Sequence, residues 1–323
     1  MRTKLIAAVS AWVVACAVYA SGAWGQTYPA RPIRWVAPFP PGGTTDIVAR
    51  IVAEKLGEAL GQQVSIDNRP GAGGNIAAEF VAKSAADGYT VLTGFPGLAI
   101  NPSLYARMSY DPLKDLAPVI LISSAPLLMV VHPALPARTV KEVIALARRR
   151  PGELLFPSAG NGTSSHLGGE LFKRAAAIDI QHVPYKGSMQ GMVDLISGRM
   201  QLMVNPLPEM IPFVESGKLR AIAVTGLKRS AVMPNLPTVD ETLPGFEVTT
   251  WNGLMAPAAT PKEIIARLNA EIVKVLRATA TLKRMNELGL DTIASTQQQF
   301  ADHLRRETDK WAEVVKAAGA RIE

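Results

Sequence analysis

Cysteine is nearly absent from this chain: of 323 residues only Cys16 carries a thiol. One cysteine excludes an internal disulfide and a thiolate metal site. Histidine is scarce as well, and the spacing of His132, His166, His182 and His303 matches no metal-binding motif. Aromatic residues make up 6% of the chain, and no basic run is interleaved with them, so nucleic acid is not expected as a partner. The densest basic cluster, Arg148 to Arg150, falls at the end of an expected helix, where it suits the negative end of the dipole. Beyond residue 20 no segment stays apolar for the roughly 20 residues that a spanning helix needs.

What is present is an ordinary globular composition, 48% hydrophobic and 19% charged, in a chain long enough for two full cores. At the start, Met1-Arg-Thr-Lys4 precedes an uncharged, largely apolar stretch from Leu5 to Ala20, then small residues at Ser21, Gly22, Ala23 and Gly25. That is the layout of a secretory signal peptide over residues 1–25, with cleavage between Ala23 and Gln26. Val13-Val14-Ala15 before Cys16 vaguely resembles a lipoprotein box, so lipid anchoring at Cys16 is the alternative to a soluble exported product. Without Arg2 and Lys4 the chain keeps 32 basic against 27 acidic residues, a mild excess compatible with anionic small molecules.

The most informative stretch is Trp35 to Asp46. Ile33, Trp35, Val36 and Ala37 form a short apolar run of strand length, stopped by Pro38, Pro40 and Pro41. Gly42 and Gly43 turn the backbone, Thr44 or Thr45 can cap, and Ile47, Val48, Ile51, Val52, Leu56 and Leu60 recur at helical spacing. The turn thus sets a helix N-terminus at the carboxyl end of a strand. Such an end carries unsatisfied N–H groups and roughly half a positive charge, and it attracts an anion. Any βα unit needs a turn of this kind, so one alone is weak evidence.

A second follows. Strand Leu154 to Phe156 leads into Ser158-Ala-Gly-Asn-Gly-Thr-Ser-Ser-His166, where Thr163 or Ser164 can cap a helix with Leu167, Leu171, Phe172 and Ala175 on its inner stripe. Between the two turns, Val64, Ile66 and Asn68 end a strand, Ile76 to Lys83 is helical and Tyr89 to Thr93 extended. This βαβαβ order argues for parallel strands with helices on both faces. Gly71-Ala-Gly73-Gly74 lacks the third glycine of a dinucleotide fingerprint, since position 76 is Ile. Two short strands are expected at Val119 to Ile122 and Leu127 to Val131, separated by Ser-Ser-Ala-Pro126. Strand Gln201 to Val204, closed by Asn205-Pro206, and strand Leu219 to Thr225 follow, and beyond Pro261 the chain is almost all helix, clearest at Lys262 to Arg277 and Gln297 to Ala318. Two βα halves with extended crossings near residues 122–126 and 246–252 suggest an α/β chain of two lobes: residues 26–124 plus 247–323 in lobe 1 and residues 125–246 in lobe 2. Their facing strand ends would make a cleft floored by both glycine turns.

Tyr28-Pro-Ala-Arg-Pro-Ile33, Pro38-Phe-Pro-Pro-Gly-Gly-Thr-Thr-Asp46, Asn68-Arg-Pro-Gly-Ala-Gly-Gly-Asn75, Asp87-Gly-Tyr-Thr90, Ser158 to His166, Pro184-Tyr-Lys-Gly187, Pro237-Thr238 and Trp251 jointly resemble the solute-binding receptors of the tripartite tricarboxylate transporters, also called the Bug family. The resemblance spans nearly all of the mature chain. It implies a periplasmic receptor of the Venus-flytrap, type II-like fold, each lobe a mostly parallel sheet flanked by helices. Such a receptor closes on a small carboxylate and hands it to membrane subunits of a tripartite tricarboxylate-type transporter. It also implies a monomer with no cofactor and no metal, and no enzyme activity. Carried over residue by residue, the resemblance puts Phe39, Gly42, Gly43, Thr44, Thr45 and Asp46 on one wall of the ligand site. Ser158, Ala159, Gly160, Gly162, Thr163, Ser164 and His166 go on the other, and the role of Asn161 stays open.

Neither loop contains Arg or Lys, so a carboxylate would be held by N–H groups and hydroxyls, each charge-assisted bond contributing about 1.5–3 kcal/mol. Asp46 has two readings: a carboxylate that suits the first turn of its helix, or a partner for a ligand ammonium or hydroxyl. His166 should be neutral beside a positive helix end, as a contact or a packed residue. Phe39 either covers an apolar ligand surface or belongs to the core, and Lys186, Asn205 and Trp251 end strands that point at the cleft, where solvated or hinge roles fit equally well. A partner role toward a membrane signalling protein uses the same cleft. A secreted hydrolase is the distant alternative, since Phe156 stands where a nucleophile elbow needs glycine.

Overall fold

The structure, a computed structural model, describes residues 28–318 and Ile322. The expected signal peptide, its cleavage region before Gln26 and Cys16 lie outside the described residues. The first half runs β1 (Ile33–Ala37), α1 (Thr44–Leu60), β2 (Val64–Asn68), α2 (Asn75–Ala82), β3 (Thr90–Gly94) and α3 (Gly97–Leu104), with a 3-10 turn at Ala72–Gly74 before α2. Then come β4 (Leu116–Val131), α4 (Val140–Arg149), β5 (Leu155–Ser158), α5 (Ser164–Ala176), β6 (Gln181–Pro184), α6 (Ser188–Ile196), β7 (Leu202–Pro206), α7 (Leu207–Glu215) and β8 (Arg220–Val224). The chain ends with β9 (Thr249–Pro257), α8 (Lys262–Arg277), α9 (Thr279–Glu287), β10 (Asp291–Thr292) and α10 (Gln297–Ala318).

The helices form where an apolar stripe meets a core. In α1, Val48, Ala49, Val52, Ala53, Leu56 and Leu60 are buried, and Gly61 in the left-handed region ends the helix by donating to the Gly57 carbonyl. A capping box starts α4: Thr139 accepts from the Glu142 N–H, and the Glu142 side chain accepts from the Thr139 N–H.

The fold is α/β with two lobes. Strands of the βα units run parallel, β2 and β3 on either side of β1, and β5 beside β6. The crossing strands make the sheets mixed: β9 pairs antiparallel with β3 and β4, while β7 and β8 pair antiparallel with the far end of β4. Two hydrophobic clusters draw on residues 28–125 and 251–322 together with Leu167, and two on residues 127–248. The C-terminal α10 lays Phe300, Leu304, Trp311 and Val315 into the first lobe beside Trp251.

One expectation is corrected here. Instead of two short strands separated at Ser-Ser-Ala-Pro126, β4 is a single 16-residue strand whose first part pairs with β9 and whose last five residues pair with β7. Its prolines are tolerated because Pro118 adjoins a register shift and Pro126 stands at the last rung of the β4–β9 ladder. Helices α3 and α7 lie where no helix or strand was expected, and the short β10 interrupts the stretch beyond Pro261 that was expected to be almost all helix.

Candidate functional site

The two glycine turns deliver α1 and α5 to opposite sides of one cavity of about 110 Å³. Phe39, Pro40, Gly43, Thr44 and Thr45 line it from the first turn, and Ala159, Thr163, Ser164 and Ser165 from the second. Phe95, Pro96 and Gly97 close it beside the first turn, while the start of α6 (Gly187 to Gln190), then Asn205, Pro206, Glu209 and Thr250 complete the wall. A more open hollow of about 550 Å³ shares Phe39, Ala159 and Gln190 with it and adds Gly71 to Gly73, Tyr105, Gly160, Asn161 and Pro184 to Lys186.

The lobes touch at glycines. A Cβ on Gly162 would stand 2.1 Å from Asn101 Oδ1, and one on Gly73 2.3 Å from the Asn161 carbonyl oxygen, so each position admits backbone where no side chain fits. Leu167 on α5 reaches into a first-lobe core cluster. The structure therefore describes the two turns in close approach.

Helix α1 begins at Thr44 with Gly43 as its N-cap, one residue earlier than a threonine cap would start it. The missing cap is replaced from the other lobe: the Thr44 N–H and hydroxyl both donate to Glu209 Oε1 at 2.7 Å. At α5 the cap is Thr163, whose hydroxyl accepts from the His166 N–H at 3.4 Å and donates to the Gly160 carbonyl at 2.6 Å. Ser165 Oγ accepts from the Ala159 N–H at 3.0 Å. Thr45, Ser164 and Ser165 stand in first helical turns, where an N–H has no intrahelical acceptor. Two buried polar atoms in the wall have no hydrogen-bond partner: the Thr45 hydroxyl and Asn205 Oδ1. Buried polar groups are normally paired, so these two mark where polar atoms of a bound molecule would sit.

Asp46, Gly42, Ser158, Gly162 and His166 lie behind the cavity wall instead of on it. The Asp46 carboxylate turns inward, accepting from Arg50 Nε at 2.9 Å, Asn68 Nδ2 at 2.9 Å and the Gly42 N–H at 3.0 Å. Burial opposes its ionisation, but these hydrogen bonds and the Arg50 charge outweigh that and hold the carboxyl below its usual range. Because Asn68 Nδ2 also donates to the Phe39 carbonyl, the network fixes the first turn from behind.

Behind the second turn, Ser158 is fully buried and lies 2.6 Å from His182 Nε2, while His166 stacks on His182 with ring centroids 4.2 Å apart. His166 Nδ1 accepts from the Gly162 N–H at 3.2 Å, which requires that nitrogen unprotonated. Burial lowers His166 to about 4. Burial, then the His166 and Lys173 charges, lowers His182 to about 3. Both rings are neutral at pH 7, and His166 owes this to burial, not chiefly to the helix dipole.

Phe39 lines the cavity and packs edge-on against Phe95, centroids 5.5 Å apart. Of the strand-end residues, Asn205 lines the inner cavity, Lys186 the outer hollow, and Trp251 is core. Glu209 escaped sequence reasoning. The available signal was an acid four residues beyond Asn205 in a segment that three prolines, 206, 208 and 212, make look irregular. Among the described residues no group of three or more His, Asp or Glu side chains could hold a metal ion, and no helix is long and apolar enough to cross a membrane.

The family model described as the tripartite tricarboxylate transporter family receptor matches residues 48–320. Protein BugT of Bordetella pertussis is 37% identical over 323 residues, covering 99% of both chains. Among solved structures, Rpa4515 of R. palustris with adipate superposes with a TM-score of 0.89 at 40% identity, covering 91% of this chain and 100% of that one. MatC from Rhodopseudomonas palustris with bound malate gives 0.84 at 32% identity, covering 89% and 100%.

Two outcomes are expected. Asp46→Asn, which weakens the Arg50 pair, should lower unfolding free energy by about 1–3 kcal/mol in denaturant titrations and leave the preference between an amino acid and its desamino analogue unchanged. As for pH, unfolded imidazoles take up protons near 6.5 while the folded pair resists down to about 4 and about 3. The unfolded state then binds more protons in that window, so stability present above about pH 6.5 is lost as the pH falls. Imidazole resonances of His166 and His182 that titrate near 6.5 would contradict this.

Proposed function

The chain belongs to the tripartite tricarboxylate transporter receptor family, and from that premise we propose that it is a periplasmic receptor that closes two lobes on a small carboxylate. The observation that carries the proposal is the convergence of the α1 and α5 N-termini on one cavity with an unpartnered Thr45 hydroxyl in its wall. Helix N-termini supply N–H donors and positive potential without a basic side chain. No Lys or Arg stands among the residues lining the inner cavity, so a carboxylate there is bound by hydrogen bonds alone. The adipate and malate held by Rpa4515 and MatC, both dicarboxylates, support a carboxylate group as what the helix N-termini hold.

The lobe boundaries follow the crossing strands. The described residues within 26–124 and 247–323 form lobe 1 and residues 125–246 lobe 2, and the hinge lies near 122–126 and 246–252, where β4 passes from β9 to β7 and where β9 begins. Closure brings Thr44 and Thr45 up to Ser164 and Ser165 and shuts water out. The closed receptor then delivers its ligand, as a monomer, to the membrane subunits of a tripartite tricarboxylate-type transporter. Within this reading the wall residues Phe39, Gly43, Thr44, Thr45, Ala159, Thr163 and Ser164 meet the ligand, and Gly42, Asp46, Ser158, Gly160, Gly162 and His166 shape the two turns.

The test is native mass spectrometry of freshly purified protein for a co-purifying acid, then a thermal-shift panel of carboxylates. A ligand at 100 times its Kd adds about 2.7 kcal/mol of stability. Thr45→Val should weaken binding at least about tenfold by titration calorimetry while leaving the free protein no less stable, because the hydroxyl it removes has no partner. A panel in which no carboxylate shifts the transition would refute the proposal.

A further inference from the structure

Glu209 is the only charged side chain among the residues lining the inner cavity, and it is 7% exposed. Its Oε1 accepts from the Thr44 N–H and hydroxyl, both at 2.7 Å, and its Oε2 accepts from Asn205 Nδ2 at 2.8 Å and from the Ser188 hydroxyl. Four donors fill the acceptor sites of a carboxylate. Among the described residues no Lys, Arg or His pairs with it. This side chain is therefore held at the N-terminus of α1 in the manner proposed for the ligand, by donors drawn from both lobes.

A resident anion changes the electrostatics of the cleft. Each helix end presents roughly half a positive charge, so the α1, α5 and α6 ends that line the cavity together offset roughly one and a half anions, and Glu209 is already one of them. The incoming molecule keeps the α5 end, the Thr45 hydroxyl and neighbouring N–H groups, enough for one carboxylate. A second carboxylate in so small a cavity would stand close to Glu209 and beside the packed rings of Phe39 and Phe95, with no cation among the lining residues to offset it. Repulsion there is poorly screened, because the walls are apolar. Displacing Glu209 is no escape, since it strips four donors from a carboxylate anchored in the buried first turn of α7.

We infer that Glu209 is a specificity-determining residue, a fixed negative charge that makes the cleft select ligands with one carboxylate and an uncharged remainder over dicarboxylates. The inference rests on the carboxylate reading and adds a substrate class to it.

Titration calorimetry on the purified protein tests it with succinate, glutarate and adipate, each against its own monomethyl ester, which keeps the length and removes one charge. The monoester should bind at least about tenfold tighter than the diacid, and in Glu209→Gln that ratio should fall at least about tenfold. A wild-type protein that binds a diacid as tightly as its monoester overturns the inference and leaves the carboxylate reading standing, whether or not the variant folds. A ratio unchanged in a variant with a cooperative thermal transition overturns it too. Binding of no member of the series, diacid or ester, overturns the inference, and the carboxylate reading falls with it only where no carboxylate of the thermal-shift panel binds either.

Discussion

The structure depends on how the first turns of two helices are satisfied across a gap. A helix N-terminus leaves N–H groups with no acceptor of their own, and burying them unpaired is costly. At α5 the chain solves this locally, with the Thr163 hydroxyl as acceptor for the His166 N–H. At α1 the cap is a glycine with no side chain, and the acceptor comes from Glu209 on the other lobe. The two solutions are not equivalent. The cap of α5 needs nothing from beyond its own turn, whereas the first turn of α1 is completed by a side chain 165 residues away in the chain.

That dependence explains why so much of the surrounding chemistry lies behind the wall. Asp46, Arg50 and Asn68 fix the first turn from the back, and Ser158, His166 and His182 fix the second. Neither network reaches the cavity, and both are needed there, because backbone donors are useful only when the backbone cannot move. Keeping both imidazoles neutral serves the same end: His166 Nδ1 can accept the Gly162 N–H only while unprotonated.

Much of this was legible in the sequence. The two glycine turns, their helices and the two-lobe α/β fold follow from periodicity and turn chemistry, and the wall residues Gly43, Thr44, Thr45, Thr163 and Ser164 sit at the expected turns. Side-chain direction was not legible. Asp46 is in the first turn of α1, as spacing says, but 100° per residue sends it toward Arg50 one turn on, and only the packed structure shows that side to be the back. Helix α7 was hidden for a different reason. Three prolines in seven residues argue against a helix, yet one precedes it, one stands in its first turn where no N–H is needed, and Pro212 alone is interior. Strand β4 shows the same limit, since its prolines fall at a bulge and a ladder end that only the partner strand defines.

The contrast between the two carboxylates shows which features of a site a sequence can carry. Asp46 is conspicuous because it sits inside a motif, and its oxygens are consumed by that motif's own scaffold. Glu209 sits in an unremarkable segment 165 residues from the group it binds. Its position in the cleft is a product of the fold alone, made where the start of α7 meets the start of α1. Motifs record what a turn needs in order to form, whereas selectivity is decided by whichever side chain the opposite lobe brings to that turn.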